Sequence, residues 1–270
     1  GIRDSVASRG LGDVYKRQMI NMPIVELKVW RGGDDGEYQT FHVEYDEGEV
    51  VLDVVHRLQS TQAQDLAVRW NCKAGKCGSC SAEVNGKPSL MCMTRMQNFT
   101  SGDVITISPM KTFPLIKDLV TDVAWNYENA RKVPHFQPKE RDADGKHRMM
   151  QVDIERGQEF HQCIECYLCQ DVCHVIRDHP ENKENFVGPR FFVQMAQVNM
   201  HPLESVSQKP NALEGYGLDY CNITKCCTDV CPAGIKITDN AIIPLKERLI
   251  DDKFDPLRWL GRKINIGNSK

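Results

Sequence analysis

The 270-residue chain is 41% hydrophobic and 26% charged, a balance that suits a folded protein with room for two domains, each with its own core. Its net charge of -3 gives nucleic acid or a polybasic membrane contact no electrostatic footing, and no run approaches the roughly 18 apolar residues of a spanning helix. Twelve cysteines in three tight groups, separated by long cysteine-free tracts, point to metal ligation by thiols in a reducing compartment rather than to a secreted disulfide scaffold.

Residues 1–18 show neither helical nor strand periodicity, and with Met19 or Met22 as candidate initiators behind them they are expected to be a non-native extension. From Ile24, the residues Val25, Leu27 and Val29 alternate with Glu26 and Lys28. A glycine-rich turn at Gly32–Gly36 follows, and Phe41, Val43 and Tyr45 then alternate with His42 and Glu44, which predicts a hairpin with one buried face. Val51, Val54, Val55 and Leu58 recur at helical spacing, predicting an amphipathic helix across that sheet. A second hairpin, Ala82–Val84, turns at Asn85-Gly86, and Val104–Ile107 reads as a last strand. Strand, strand, helix, cysteine loop and strands is the order of a small β-grasp domain, placed at residues 22–125.

Past Pro109 the composition changes. Tyr127–Lys146 is polar, carries two prolines and reads as a connector. Residues 126–270 lack strand alternation, and Phe192, Met195, Ala196 and Asn199, like Ile242, Leu245 and Leu249, recur at helical spacing. The expected fold class is therefore α+β: a β-grasp domain followed by an all-α domain with cysteine-bearing turns.

Cys72-x4-Cys77-x2-Cys80, followed by Cys92, has the plant-type ligand spacing for a 2Fe-2S cluster. Gly75 and Gly78 interleave with the ligands and are expected to let the loop wrap closely and aim backbone N–H groups at the sulfurs. Four thiolates can also hold zinc, but closed zinc sites usually show paired C-x2-C knuckles, which this loop lacks. In the second half, Cys163-x2-Cys166-x2-Cys169-x3-Cys173 is the ligand run of bacterial ferredoxins, whose fourth thiolate reaches across to another cluster. Its partner run extends from Cys221 to Cys231-Pro232, with Thr224 where the second cysteine belongs. The crossing rule assigns Cys163, Cys166, Cys169 and Cys231 to a 4Fe-4S cluster. It leaves Cys173, Cys221 and Cys227 with three thiolates, and because a neutral hydroxyl is a poor iron ligand, the expected occupant there is 3Fe-4S. Cys226 points away from its neighbour Cys227 and is expected to be a buried free thiol.

In this order and spacing, with the threonine substitution, the three cysteine groups resemble the iron-sulfur subunit of succinate dehydrogenase and fumarate reductase. The resemblance runs from Ile24 to Leu260 and includes the segments CGSC, NGKP, LMCMTR, NFVGPRFF and CNITKCCTDVCPAGIKITDNAI, the last similar to the actinobacterial branch. It implies a relay in which a flavoprotein subunit oxidises succinate at FAD and electrons pass through 2Fe-2S, 4Fe-4S and 3Fe-4S clusters to quinone at a membrane anchor. This chain would then carry no catalytic residue of its own. It would sit peripherally on the cytoplasmic face of the inner (plasma) membrane, held by the anchor subunits. Fumarate reductase running in reverse, and a thiol-linked reductase subunit, are the alternatives within redox chemistry; a zinc-stabilised binding module is the alternative outside it. Where many family members carry Pro and Trp after the fourth cysteine of the first run, this chain has His174 and Asp178, and Asn222 replaces a His. His174 is a candidate proton or hydrogen-bond partner there, whereas Arg177, Asp178 and His179 read as a solvated charged face.

Overall fold

The computed structural model describes residues 22–205 and 215–254, so the expected extension at residues 1–18 lies outside the described residues. Strand β1 (Ile24–Arg31) buries Val25, Leu27 and Val29 completely and pairs antiparallel with β2 (Glu37–Glu44), in a register that sets Leu27 opposite Phe41. Helix α1 (Val51–Thr61) turns the four apolar residues read from the sequence, together with Leu52, into the same core. Strands β3 (Ser81–Val84) and β4 (Lys87–Leu90) form the second hairpin, and β5 (Val104–Ser108) lies parallel to β1 and antiparallel to β3. The sheet order is β2-β1-β5-β3-β4, the β-grasp arrangement expected. Asn85 and Gly86 both have positive φ, 50° and 74°, which a two-residue turn matching the strand twist requires.

A short hairpin, β6 (Leu115–Lys117) and β7 (Val120–Thr121), leads into α2 (Ala124–Lys132). The expected connector is thus partly helical. Its first residues, 127–132, belong to α2, whose Trp125 and Ala130 pack against the helical core. Weak apolar periodicity hid this helix: its buried residues are Asn126 and Asn129. The rest of the connector is irregular, turns at residues 142–146, and is tied down by backbone hydrogen bonds from Lys139 to Leu203 (2.8 Å) and from Ser205 to Gln137 (2.8 Å).

The second half is helical, as expected: α3 (Gln151–Gln158), α4 (Leu168–Asp171), α5 (His174–Arg177), α6 (Pro189–Asn199), α7 (Cys226–Asp229) and α8 (Ile243–Phe254), the last entered through a π-helical turn at Ile237–Ile242. Phe186, Phe191, Phe192, Ile176 and Leu245 centre its core. Among the described residues no helix is long and apolar enough to cross a membrane.

The two halves meet through buried charge. Glu83 of β3 is fully buried, and its Oε1 accepts a hydrogen bond from Arg177 Nη1 at 2.5 Å, while Lys111 Nζ lies 3.5 Å from Oε2. Arg177 also donates to the Asp171 carbonyl at 3.0 Å. The expectation of a solvated charged face therefore holds for Asp178 and His179, which are exposed, and is corrected for Arg177, which is drawn inward because an unpaired buried carboxylate is too costly to leave.

Candidate functional site

In the first cysteine loop the chain turns back on its own sulfurs. The N–H groups of Ala74 and Lys76 point at Cys72 Sγ, 3.4 and 3.3 Å away, and Cys92 N–H donates to Cys80 Sγ at 3.5 Å. Gly75 makes the wrap possible. Its φ is 64°, and a Cβ there would stand 2.8 Å from Met93 Sδ. A hydrogen bond from the Ser79 side chain is the main pull that brings the Cys77 thiol down to about 6, whereas burial pushes Cys80 up to about 12.

Cys163, Cys166, Cys169 and Cys231 line one cavity, which Arg190 and Ile235 help to close. The four cysteines that the crossing rule groups are thus brought together, although Cys231 lies far along the chain from the other three. Burial pushes Cys166 up to about 12 and Cys169 well above the ordinary thiol range. It also raises Cys163, against the pull of the Arg190 guanidinium. Thiols so placed become anions readily only when a metal takes up the charge. A soft donor set in an enclosed, mostly apolar cavity fits an iron-sulfur cluster. Among the described residues no three His, Cys, Asp or Glu side chains converge on a point that would hold a single ion; a cluster needs no such convergence, because each thiolate binds a different iron.

The run from Cys221 repeats the backbone of the run from Cys163. The residues two and four places after the first cysteine are left-handed in both: Glu165 and Tyr167 at φ 55° and 61°, Ile223 and Lys225 at 63° and 65°. A four-residue helix follows in each, α4 and α7, so Thr224 stands where Cys166 stands in the first run. Burial pushes Cys173 up to about 12 and Cys227 up to about 11, and the neighbouring thiols of Cys226 and Cys221 add to both rises, so the four cysteines lie close together. Thr238 Oγ1 lies 3.4 Å from Cys227 Sγ. Thr224 Oγ1 lies 3.5 Å from His174 Nδ1 and donates to Cys226 Sγ at 3.4 Å. Cys226 is half-buried beside this group and not the buried core thiol expected, because α7 turns its side chain along the surface next to Thr224.

Gly78, at φ 68°, presses on the second loop: a Cβ there would sit 2.6 Å from Cys166 Cα. Ser81 Oγ donates to the Cys166 carbonyl at 2.9 Å. Sequence reading missed Ser81, Thr238, Arg190 and the Glu83–Arg177 pair. Only Glu83 left a signal, as a charged residue inside a short strand between Ala82 and Val84.

Residues 26–128 match the family model described as a 2Fe-2S iron-sulfur cluster binding domain, and residues 159–235 the model described as a 4Fe-4S dicluster domain. A chain in the solved structure of the Mycobacterium smegmatis Sdh1 complex in the apo form is 60% identical, with a TM-score of 0.84 over 87% of this chain and 99% of that one. The fumarate reductase iron-sulfur subunit of Haemophilus influenzae is 28% identical over 233 residues, 79% of this chain and 89% of that protein. An uncharacterized iron-sulfur protein of Methanococcus maripaludis is 29% identical over 210 residues, 74% of this chain; the chain spans only 40% of that longer relative. With both cluster-binding domains in order and this level of identity along the chain, it belongs to the family of iron-sulfur, electron-transferring subunits of succinate dehydrogenase and fumarate reductase complexes.

Proposed function

We propose that this chain relays electrons between an FAD-bearing flavoprotein subunit and a quinone-binding membrane anchor in a succinate:quinone oxidoreductase, peripheral to the cytoplasmic face of the plasma membrane. In this reading Cys72, Cys77, Cys80 and Cys92 hold a 2Fe-2S cluster within residues 22–125. Within residues 126–270, Cys163, Cys166, Cys169 and Cys231 hold a 4Fe-4S cluster and Cys173, Cys221 and Cys227 a 3Fe-4S cluster. When bound, such clusters supply one-electron carriers, and the polypeptide supplies ligation, spacing and electrostatics.

The observation that carries this reading is the seating of Gly78 against Cys166, which puts the first thiolate loop in direct contact with the second. Loops in contact hold two carriers close to each other. The three-iron assignment is supported by the shared backbone of the two runs, which leaves a neutral hydroxyl, Thr224, at the corner a thiolate would fill. His174 stands beside that hydroxyl and is the group we assign as hydrogen-bond or proton partner at the quinone-facing end. Succinate oxidation is proposed as the working direction because of the 60% identity to the Sdh1 chain.

Low-temperature EPR of the anaerobically purified complex, with iron and zinc analysis, tests the reading. A three-iron signal in the air-oxidised sample, and reduced 2Fe-2S and 4Fe-4S signals after dithionite, are expected. A silent oxidised sample with two reduced 4Fe signals would overturn the three-iron assignment and favour a thiol-linked reductase. Stoichiometric zinc without iron would overturn the relay.

A further inference from the structure

Arg190 is the second residue of α6 and, thiols apart, the single charged side chain among the described residues lining the four-cysteine cavity. Gly188 fixes the entry to this helix: its φ is 89°, and a Cβ there would run into the Gln170 side chain, which itself lies one residue beyond Cys169. Arg190 N–H donates to Gln170 Oε1 at 3.4 Å, so the start of α6 is pinned to the ligand loop. The Arg190 side chain is 10% exposed, and its Nε is enclosed without a hydrogen-bond partner. Nη2 pairs with Glu165 Oε1 at 2.5 Å.

The two members of this pair do not cancel at the cavity. The Glu165 side chain is 55% exposed, so water screens its carboxylate, while the guanidinium is held in the low-dielectric wall. Arginine keeps its charge at any working pH. Adding an electron makes the centre more negative, and a fixed cation in the wall stabilises that state over the oxidised one.

We propose that Arg190 is a positioning charge that raises the reduction potential of the four-thiolate centre, with Glu165 as its partly screened counter-ion. This rests on the reading that Cys163, Cys166, Cys169 and Cys231 hold a 4Fe-4S cluster.

The test is an EPR-monitored redox titration of the whole purified complex carrying Arg190→Met, Arg190→Lys or Glu165→Gln. Arg190→Met is expected to shift the oxidised-to-reduced ratio of this centre about tenfold towards oxidised at a fixed potential, equal to about 59 mV for one electron, and to leave the other two centres in place. Arg190→Lys is expected to retain most of the wild-type potential. Glu165→Gln removes a half-exposed carboxylate and is expected to move the same centre the other way; this variant decides the matter if the Arg190 variants fail to assemble. An unmoved midpoint, an equal shift in all three centres, or a lysine variant that shifts as far as the methionine one would overturn the proposal. Absence of a reduced 4Fe-4S signal from the wild-type complex would instead sink the ligand reading beneath it.

Discussion

The run from Cys163 and the run from Cys221 pass through the same left-handed turns and enter the same short helix, and beyond that backbone their surroundings diverge. All four residues of α4 are buried. Gln170 donates to the Val187 carbonyl at 2.9 Å, Asp171 accepts from Thr112 N–H at 3.0 Å, and Gly78 covers Cys166. In α7 only Cys227 is buried, and Asn222, Ile223, Thr224 and Lys225 are exposed. Even the ion pairs differ: Arg177 engages a carboxylate with no exposure, whereas Lys225 pairs with Asp239 at the surface. Turn geometry follows ligand spacing, but the medium around each centre follows from what the rest of the chain packs over it. In the relay proposed above, an enclosed centre followed by one near the surface is the order needed at the hand-off end.

Replacing Thr224 with Cys tests the one ligand position at which the runs differ and should have the largest effect. On the proposed three-iron reading, and if the shared backbone is what matters, T224C completes a fourth thiolate, the oxidised three-iron signal disappears, a second reduced 4Fe signal replaces it, and iron rises by one per chain. Retention of the three-iron signal would mean that the corner at Thr224 is not aimed as the corner at Cys166 is.

Next in size is Arg177→Ala, which breaks the burial of the first run. It strands Glu83 in the interior with Lys111 alone, and loss of one partner of a buried pair costs about 3–5 kcal/mol. Denaturant titration of the complex, followed by loss of cluster absorbance, should show a midpoint far below wild type. A near-wild-type midpoint would mean that Lys111 compensates Glu83 unaided.

Gly78→Ala should follow. A left-handed φ costs an L-residue about 1–2 kcal/mol, and the 2.6 Å approach to the Cys166 backbone adds to that. Gly86→Ala is the control, since Gly86 is equally left-handed, at φ 74°, but has nothing within 4 Å of a Cβ. The excess loss in the first variant measures the contact between the two halves, and equal losses would mean that the contact is slack.

The β-grasp domain was legible because its signals are local: alternation in β1, an Asn-Gly turn, and helical spacing from Val51 to Leu58. In the second half the crossing rule groups Cys231 with Cys163, Cys166 and Cys169, and those four side chains do line one cavity. What could not be read is what distant segments do to one another. Helix α2 buries Asn126 and Asn129 rather than an apolar stripe, so it leaves no period to find. Arg177 sits between exposed Asp178 and buried Ile176, and only the arrival of β3 decides that it turns inward. Arg190 carries no spacing signal at all; its role comes from the pinning of α6 against Gln170.

The smallest effect expected is at Ile223, where the second run holds a β-branched residue at φ 63°, a conformation such residues rarely adopt. The matching residue of the first run, Glu165, pairs with Arg190, which repays part of the same strain; Ile223 is 39% exposed. Asparagine tolerates left-handed backbone, so Ile223→Asn should relieve about 1 kcal/mol of strain and raise the denaturation midpoint slightly. If the midpoint of the whole complex falls instead, the isoleucine side chain is making an apolar contact that outweighs the strain. A partner subunit lying over the exposed run would provide that contact, and the strain at Ile223 would then be offset across an interface, as the first run's is offset within the chain.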